Sequence, residues 1–73
     1  MKVKVAGRIY RMSREEYQGL LQVASDQVPF GIYAVEKKGY AELRCDRCKS
    51  MTQLKKLTQG FRAQGFKVLA NGR

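Results

Sequence analysis

The sequence predicts a small α+β fold: one sheet with two helices packed on one of its faces, in the order ββ-α-ββ-α-β. Three observations carry this. Ser13 to Glu16 and Ser50 to Gln53 each form a Ser-x-x-Glu/Gln helix start, followed by apolar residues at three- and four-residue spacing. The intervening stretches are short apolar and aromatic runs broken at Gly turns. Seventy-three residues at 44% apolar content make one domain, residues 1–73, of a size where a single core is barely sufficient. Oligomerisation or a metal would add stability at this size, so the chain is expected as a monomer or a homodimer.

Residues 2–12, KVKVAGRIYRM, alternate charged and apolar positions, with Ala6-Gly7 where a two-residue hairpin turn would sit. That pairing groups Val3, Val5, Tyr10 and Met12 on one face and Lys2, Lys4, Ile9 and Arg11 on the other. Next, MSREEYQGLLQVASDQVP reads as a helix. Ser13 and Glu16 make a capping box, and Met12 and Tyr17 a hydrophobic staple. Tyr17, Leu20, Leu21, Ala24 and Val28 keep helical spacing until Pro29 stops it.

Residues 30–45, FGIYAVEKKGYAELRC, read as a second hairpin turning at Lys37-Lys38-Gly39. A two-residue and a three-residue loop give opposite facings for residues 30–36, and both stay open. Ala41, Leu43 and Cys45 share the expected core side of the next strand. A second helix then carries Met51, Leu54, Leu57 and Phe61 on one stripe and ends at Gly65, with Phe66 folding back in a Schellman closure. A last strand, Phe66-Lys67-Val68-Leu69-Ala70, completes the order. A βαββαβ core of the ferredoxin-like kind fits inside it.

Formal charge is +9 and unevenly placed. Residues 1–36 carry five basic against four acidic residues, whereas residues 37–73 carry ten against two. Such a half is either a solvated, self-repelling surface or the footprint of a polyanionic partner, since Lys and Arg gain affinity by releasing phosphate counterions. No apolar run reaches the roughly 18 residues of a membrane span, and the alternating start lacks a signal peptide's apolar region. A cytoplasmic setting without structural disulfides is expected.

The residues point away from catalysis. His is absent, so there is no imidazole base and no Ser-His or Cys-His pair. Glu15 and Glu16 are sequence neighbours that point apart, and no Gly-rich phosphate loop with a following Lys-Ser/Thr occurs. Cys45-Asp46-Arg47-Cys48 supplies two of the four ligands of a zinc site, which could close only across a dimer or with Asp46 and water. For redox use, Arg44, Arg47 and Lys49 would lower a thiol's pKa, yet the helix starts after both cysteines. The reading preferred for the pair is structural, with Cys45 in the core, Cys48 in a turn, and no metal or cofactor.

Charge is the better guide in this stretch. Thr52, Lys55, Gln59 and Arg62 form one polar face of the second helix, with Lys56 beside it and Arg44, Arg47 and Lys49 at its start. The expected nucleic-acid contacts are Arg44, Arg47, Lys49, Lys55, Lys56, Gln59 and Arg62, with cations on backbone oxygens and Gln on base edges. Tyr33 and Tyr40 would offer stacking platforms if their strand faces are open.

The stretch GRIYRMSREEYQGLLQVASDQVPFGIYAVEK resembles small proteins of uncharacterised function encoded by phages and prophages of Clostridium-like bacteria. The resemblance implies a phage-accessory role inside a bacterial host cell and no catalytic residues. Two functions stand as expectations: binding of nucleic acid or nucleotide phosphates through the edge from Arg44 to Arg62, or an inhibitor or adaptor that binds a host protein such as a nucleic-acid-guided defence complex.

Overall fold

In the computed structural model, which describes residues 1–72, seven elements follow the expected order. They are β1 (Lys2–Val5), β2 (Arg8–Arg11), α1 (Arg14–Gln27), β3 (Phe30–Lys37), β4 (Tyr40–Arg47), α2 (Met51–Ala63) and β5 (Lys67–Gly72). The strands form one mixed sheet in the order β2-β1-β4-β3-β5, in which β1 and β4 are parallel and the other neighbours antiparallel.

The local signals act as expected. Ala6 at φ 50 and Gly7 at φ 84 build the left-handed two-residue turn of the first hairpin. Its register places Val3 opposite Tyr10 and Lys4 opposite Ile9, the predicted facing. Ser13 accepts from the Glu16 N–H while Glu16 accepts from the Ser13 N–H, so α1 starts on a closed capping box. The second box closes only halfway: Ser50 Oγ accepts from the Gln53 N–H, but Gln53 Oε1 takes the Lys49 N–H at 2.8 Å. At the end of α2, Phe66 donates to the Phe61 carbonyl and Gly65 to that of Arg62, the two bonds of a Schellman motif. Phe66 and Phe61 meet edge to face at 6.0 Å, the apolar contact that seals it.

The helices do not share a face, which corrects the expected layering. Val3, Tyr17 and Ala41 form one buried cluster with Met12, Leu21 and Leu43 around it, while Ile32, Val35 and Leu54 form a second with Phe30, Phe61, Phe66 and Val68. Register assigns the two clusters to opposite sides of the sheet. Val35 lies opposite Glu42 and Ala34 opposite Leu43, so neighbouring β3 residues serve different helices. The cause is connectivity. The pairings make β2 parallel to β3 and β4 parallel to β5, with the two pairs running in opposite directions. Both helical crossovers step toward the β5 edge, and crossovers of the same right-handed sense on oppositely directed strands must lie on opposite faces. The last strand also sits outside β3, away from β1. The arrangement is not that of a ferredoxin-like core, whose inserted strand runs antiparallel to both neighbours and whose helices share one face. Here β4 is parallel to β1 and the helices lie on opposite faces.

A register shift between Ile32 and Ala34 reverses the alternation of β3, so that Ile32 and Val35, three residues apart, both face α2. Ile32 aligns with Ala70 and Val35 with Val68 on the α2 side, while Ala34 aligns with Leu69 on the α1 side. At Gly31, a Cβ would fall 2.1 Å from the Asp46 carbonyl oxygen, so this close approach of backbones requires glycine. Asn71 ties β5 to the other layer, its Nδ2 donating toward the Ser25 and Val28 carbonyls and Ser25 Oγ at 3.0–3.1 Å, at the end of α1. No helix among the described residues is long and apolar enough to cross a membrane.

Candidate polyanion-binding surface

The amphipathic pattern of α2 sets the geometry of the basic surface. Leu54 is buried against β3, and Phe61 packs on the same cluster. One turn around the helix, Lys55, Gln59 and Arg62 come to one side, as residues spaced by three, four and seven must. They line a groove of about 410 Å³ between α2 and β5, together with Met51, Leu54, Thr58, Val68 and Ala70. Val68 and Ala70 belong to the α2 face of β5 by register with Val35 and Ile32. No acidic residue lines the groove among the described residues, and α2 itself has none. Lys49 and Lys56 are exposed nearby. The ion pairs among the described residues all belong to Arg44, leaving the cations of α2 without a carboxylate partner.

Two of the seven expected contacts lie elsewhere. Arg44 is clamped between Glu42 and Asp46 and lies over the Phe61 ring at 4.8 Å. The Asp46 carboxylate holds its pKa above the usual value, against the opposing effect of burial. Its charge is neutralised locally, so Arg44 anchors α2 to the sheet and offers no free fork to a phosphate. Arg47 aligns with Gly31, on the α1 side, and donates Nη2 to the Gln27 carbonyl at 3.0 Å. Strand alternation puts Arg47 on the face opposite α2, whereas Arg44 is on the α2 face beside Phe61 and is set apart by its two carboxylate partners. The structure thus brings together Lys55, Gln59 and Arg62, keeps Lys49 and Lys56 at their margin, and removes Arg44 and Arg47.

Thr58, Val68 and Ala70 were not singled out from the sequence. Thr58 could have been found three residues after Lys55. The β5 residues required knowing that this strand is the neighbour of α2. Tyr40 is half-buried and donates to Glu42 at 3.2 Å, and burial first, then Glu42, raises its pKa. Tyr33 is half-buried at the register shift. Neither is an open stacking platform.

The cysteines exchange their expected places. Cys45 is exposed and lines the α1-side groove with Val5, Leu20, Val23 and Leu43. Cys48 packs against the Ile32–Leu54 cluster, its N–H bonded to the Phe30 carbonyl at 2.9 Å. Strand alternation carries Cys45 to one face, and the chain leaving β4 carries Cys48 to the other. The two sulfurs therefore do not converge as a chelating pair. Among the described residues no three metal-ligating side chains gather. Comparison with known proteins adds no relative: no family model, curated protein or solved structure matches the chain.

Proposed function

We propose that the domain is a binding module for nucleic acid, or for the phosphates of nucleotides, acting through the β5 side of α2. The observation that carries this reading is Lys55, Gln59 and Arg62 along one groove with no acidic residue in its lining and, among the described residues, no carboxylate holding either cation. Lys55 and Arg62 would take phosphate oxygens, Lys49 and Lys56 would add longer-range attraction, and Gln59 can donate to and accept from a base edge. A cytoplasmic, phage-accessory setting and a role without catalysis belong to the same proposal.

The test is a titration of generic DNA and RNA at several salt concentrations. With at most four cations engaged, log affinity should fall against log salt with a slope no steeper than about −3 on single strands and about −4 on B-DNA. Lys55→Glu with Arg62→Glu should flatten that slope by about 1.4 or more and reduce affinity strongly. Absence of binding at low ionic strength, or wild-type affinity in the double variant, removes the reading.

A protein target is the second reading, favoured by one observation. Ile9 and Tyr10 are 60% and 46% exposed on the free-edge strand β2, away from the basic helix. Exposed apolar residues on a strand with one free edge suit an adaptor or inhibitor that docks on a host protein. Its test is affinity capture from nuclease-treated host extract. A host protein retained by wild type should be lost from Ile9→Lys with Tyr10→Lys, and equal retention by both rejects this surface.

A further inference from the structure

We infer that the groove between α2 and β5 is built for a single-stranded nucleic acid in preference to a duplex. The inference rests on the reading above and narrows it to a ligand class.

Three features of the groove act together. Its rim is cationic, through Lys55 and Arg62, and its floor is apolar, through Met51, Leu54, Val68 and Ala70. Phosphates and a base face can therefore be received a few ångströms apart. At about 410 Å³ it falls within the roughly 300–1,000 Å³ of small-ligand sites, so it accommodates a nucleoside-sized group. Alongside runs the open edge of β5, which pairs only with β3. Every second residue of such an edge turns its N–H and C=O outward, unpaired. These are the groups that can satisfy the hydrogen-bonding edge of an unpaired base.

A duplex cannot use this arrangement. Its bases are stacked and paired, so no base face can reach Val68 or Ala70, and its phosphates lie on a convex surface. A splayed single strand can place one base on the floor, its edge against β5 and its flanking phosphates on Lys55 and Arg62. Charge decides against a second copy of this chain as the occupant. A two-fold contact at β5 would set Lys55 and Arg62 against the same residues of the partner, with no acid among the described residues of the groove to relieve them.

The test uses one fluorescent oligonucleotide, free and annealed to its complement, with anisotropy read at low salt. The single strand should bind about ten-fold tighter than the duplex, the size of one base contact. Ala70→Phe fills the groove at an exposed position and should cost the single strand a similar factor while leaving its salt slope unchanged. Equal or tighter binding of the duplex overturns the inference. So does an unaltered single-strand affinity in the folded Ala70→Phe protein, or equal competition by polyglutamate, which would mark a site for acidic polypeptide. If the duplex is preferred and the Lys55→Glu, Arg62→Glu protein still loses binding, the nucleic-acid reading stands and this inference alone fails. If neither form binds, both fall.

Discussion

Replacing Asn71 by Ala is the perturbation with the clearest energetic signature. One side-chain amide on β5 faces three acceptors at the end of α1: the Ser25 carbonyl at 3.1 Å, Ser25 Oγ at 3.0 Å and the Val28 carbonyl at 3.0 Å. Helix ends leave carbonyls without intrahelical partners; here another layer's amide reaches the Val28 carbonyl and adds to the Val28 N–H already on the Ser25 carbonyl. Asn71→Ala removes two N–H donors, each worth about 1 kcal/mol net, and exposes the carbonyls to imperfect solvation, for a total of about 2–3 kcal/mol. A domain of this length has only about 4–11 kcal/mol to lose, so the midpoint of a thermal melt should drop by on the order of 10–20 °C. Asn71→Asp is the sharper variant. Above the carboxyl pKa it sets an anion against the negative end of α1, and should destabilise more than Ala. When protonated, the carboxyl can donate one hydrogen bond. Its folded-state pKa should therefore be raised, so the Asp variant regains stability relative to Ala as pH falls through that pKa and loses it as pH rises. Urea melts followed by far-UV circular dichroism at several pH values would measure both effects. A loss under about 0.5 kcal/mol for Ala, below what one such bond contributes, would refute the clamp. So would an Asp variant whose difference from Ala does not change with pH.

Other outcomes follow from particular side chains. Cys45, exposed in the α1-side groove, should be alkylated in the folded state well before Cys48, and Cys48→Ser should cost more stability than Cys45→Ser; mass-mapped alkylation decides the order. Ala6 occupies the left-handed region at φ 50, so Ala6→Asn, giving an Asn-Gly turn, should stabilise by about 0.5–1 kcal/mol in a urea melt. Burial, and then its hydrogen bond to Glu36, raises the Tyr17 phenol above the ordinary value. The folded state thus holds that proton more tightly, so this contribution is intact below about pH 10 and is lost as pH rises beyond it. Tyr17→Phe should flatten the alkaline limb of the stability curve. Arg44→Ala should lower the melting temperature, by stranding Glu42 and Asp46, yet leave the salt slope of oligonucleotide binding unchanged.

Local chemistry was legible in the sequence wherever a few neighbouring residues decide it. Ser13 with Glu16, Ala6-Gly7, and Gly65 with Phe66 each fix a cap or turn through bonds spanning at most five residues. The layering was not, because strand order is decided by pairings between distant segments. One signal of it was present. The run Phe30-Gly31-Ile32-Tyr33-Ala34-Val35 has no polar alternation, the pattern of a strand covered on both faces. Reading it as a strand of undetermined facing missed that both facings are used. The basic site was legible to the extent that one helix carries it: Lys55, Gln59 and Arg62 follow from helical spacing. Arg44 and Arg47 misled because a strand sends residues to its faces by parity, and Glu42 and Asp46, each two positions from Arg44, share its face and neutralise it.

Two half-cores divided by a sheet also bear on how sequence changes combine. Leu21 and Leu54 belong to different clusters on either side of β3 and β4, with no shared side-chain neighbour. Effects at such separated sites add to within about 0.3–0.5 kcal/mol, whereas residues within one cluster couple. Each layer can therefore accumulate substitutions almost independently of the other. A drift in α1 and its facing residues leaves the groove beside α2 unaltered so long as the backbone of β3 holds its register.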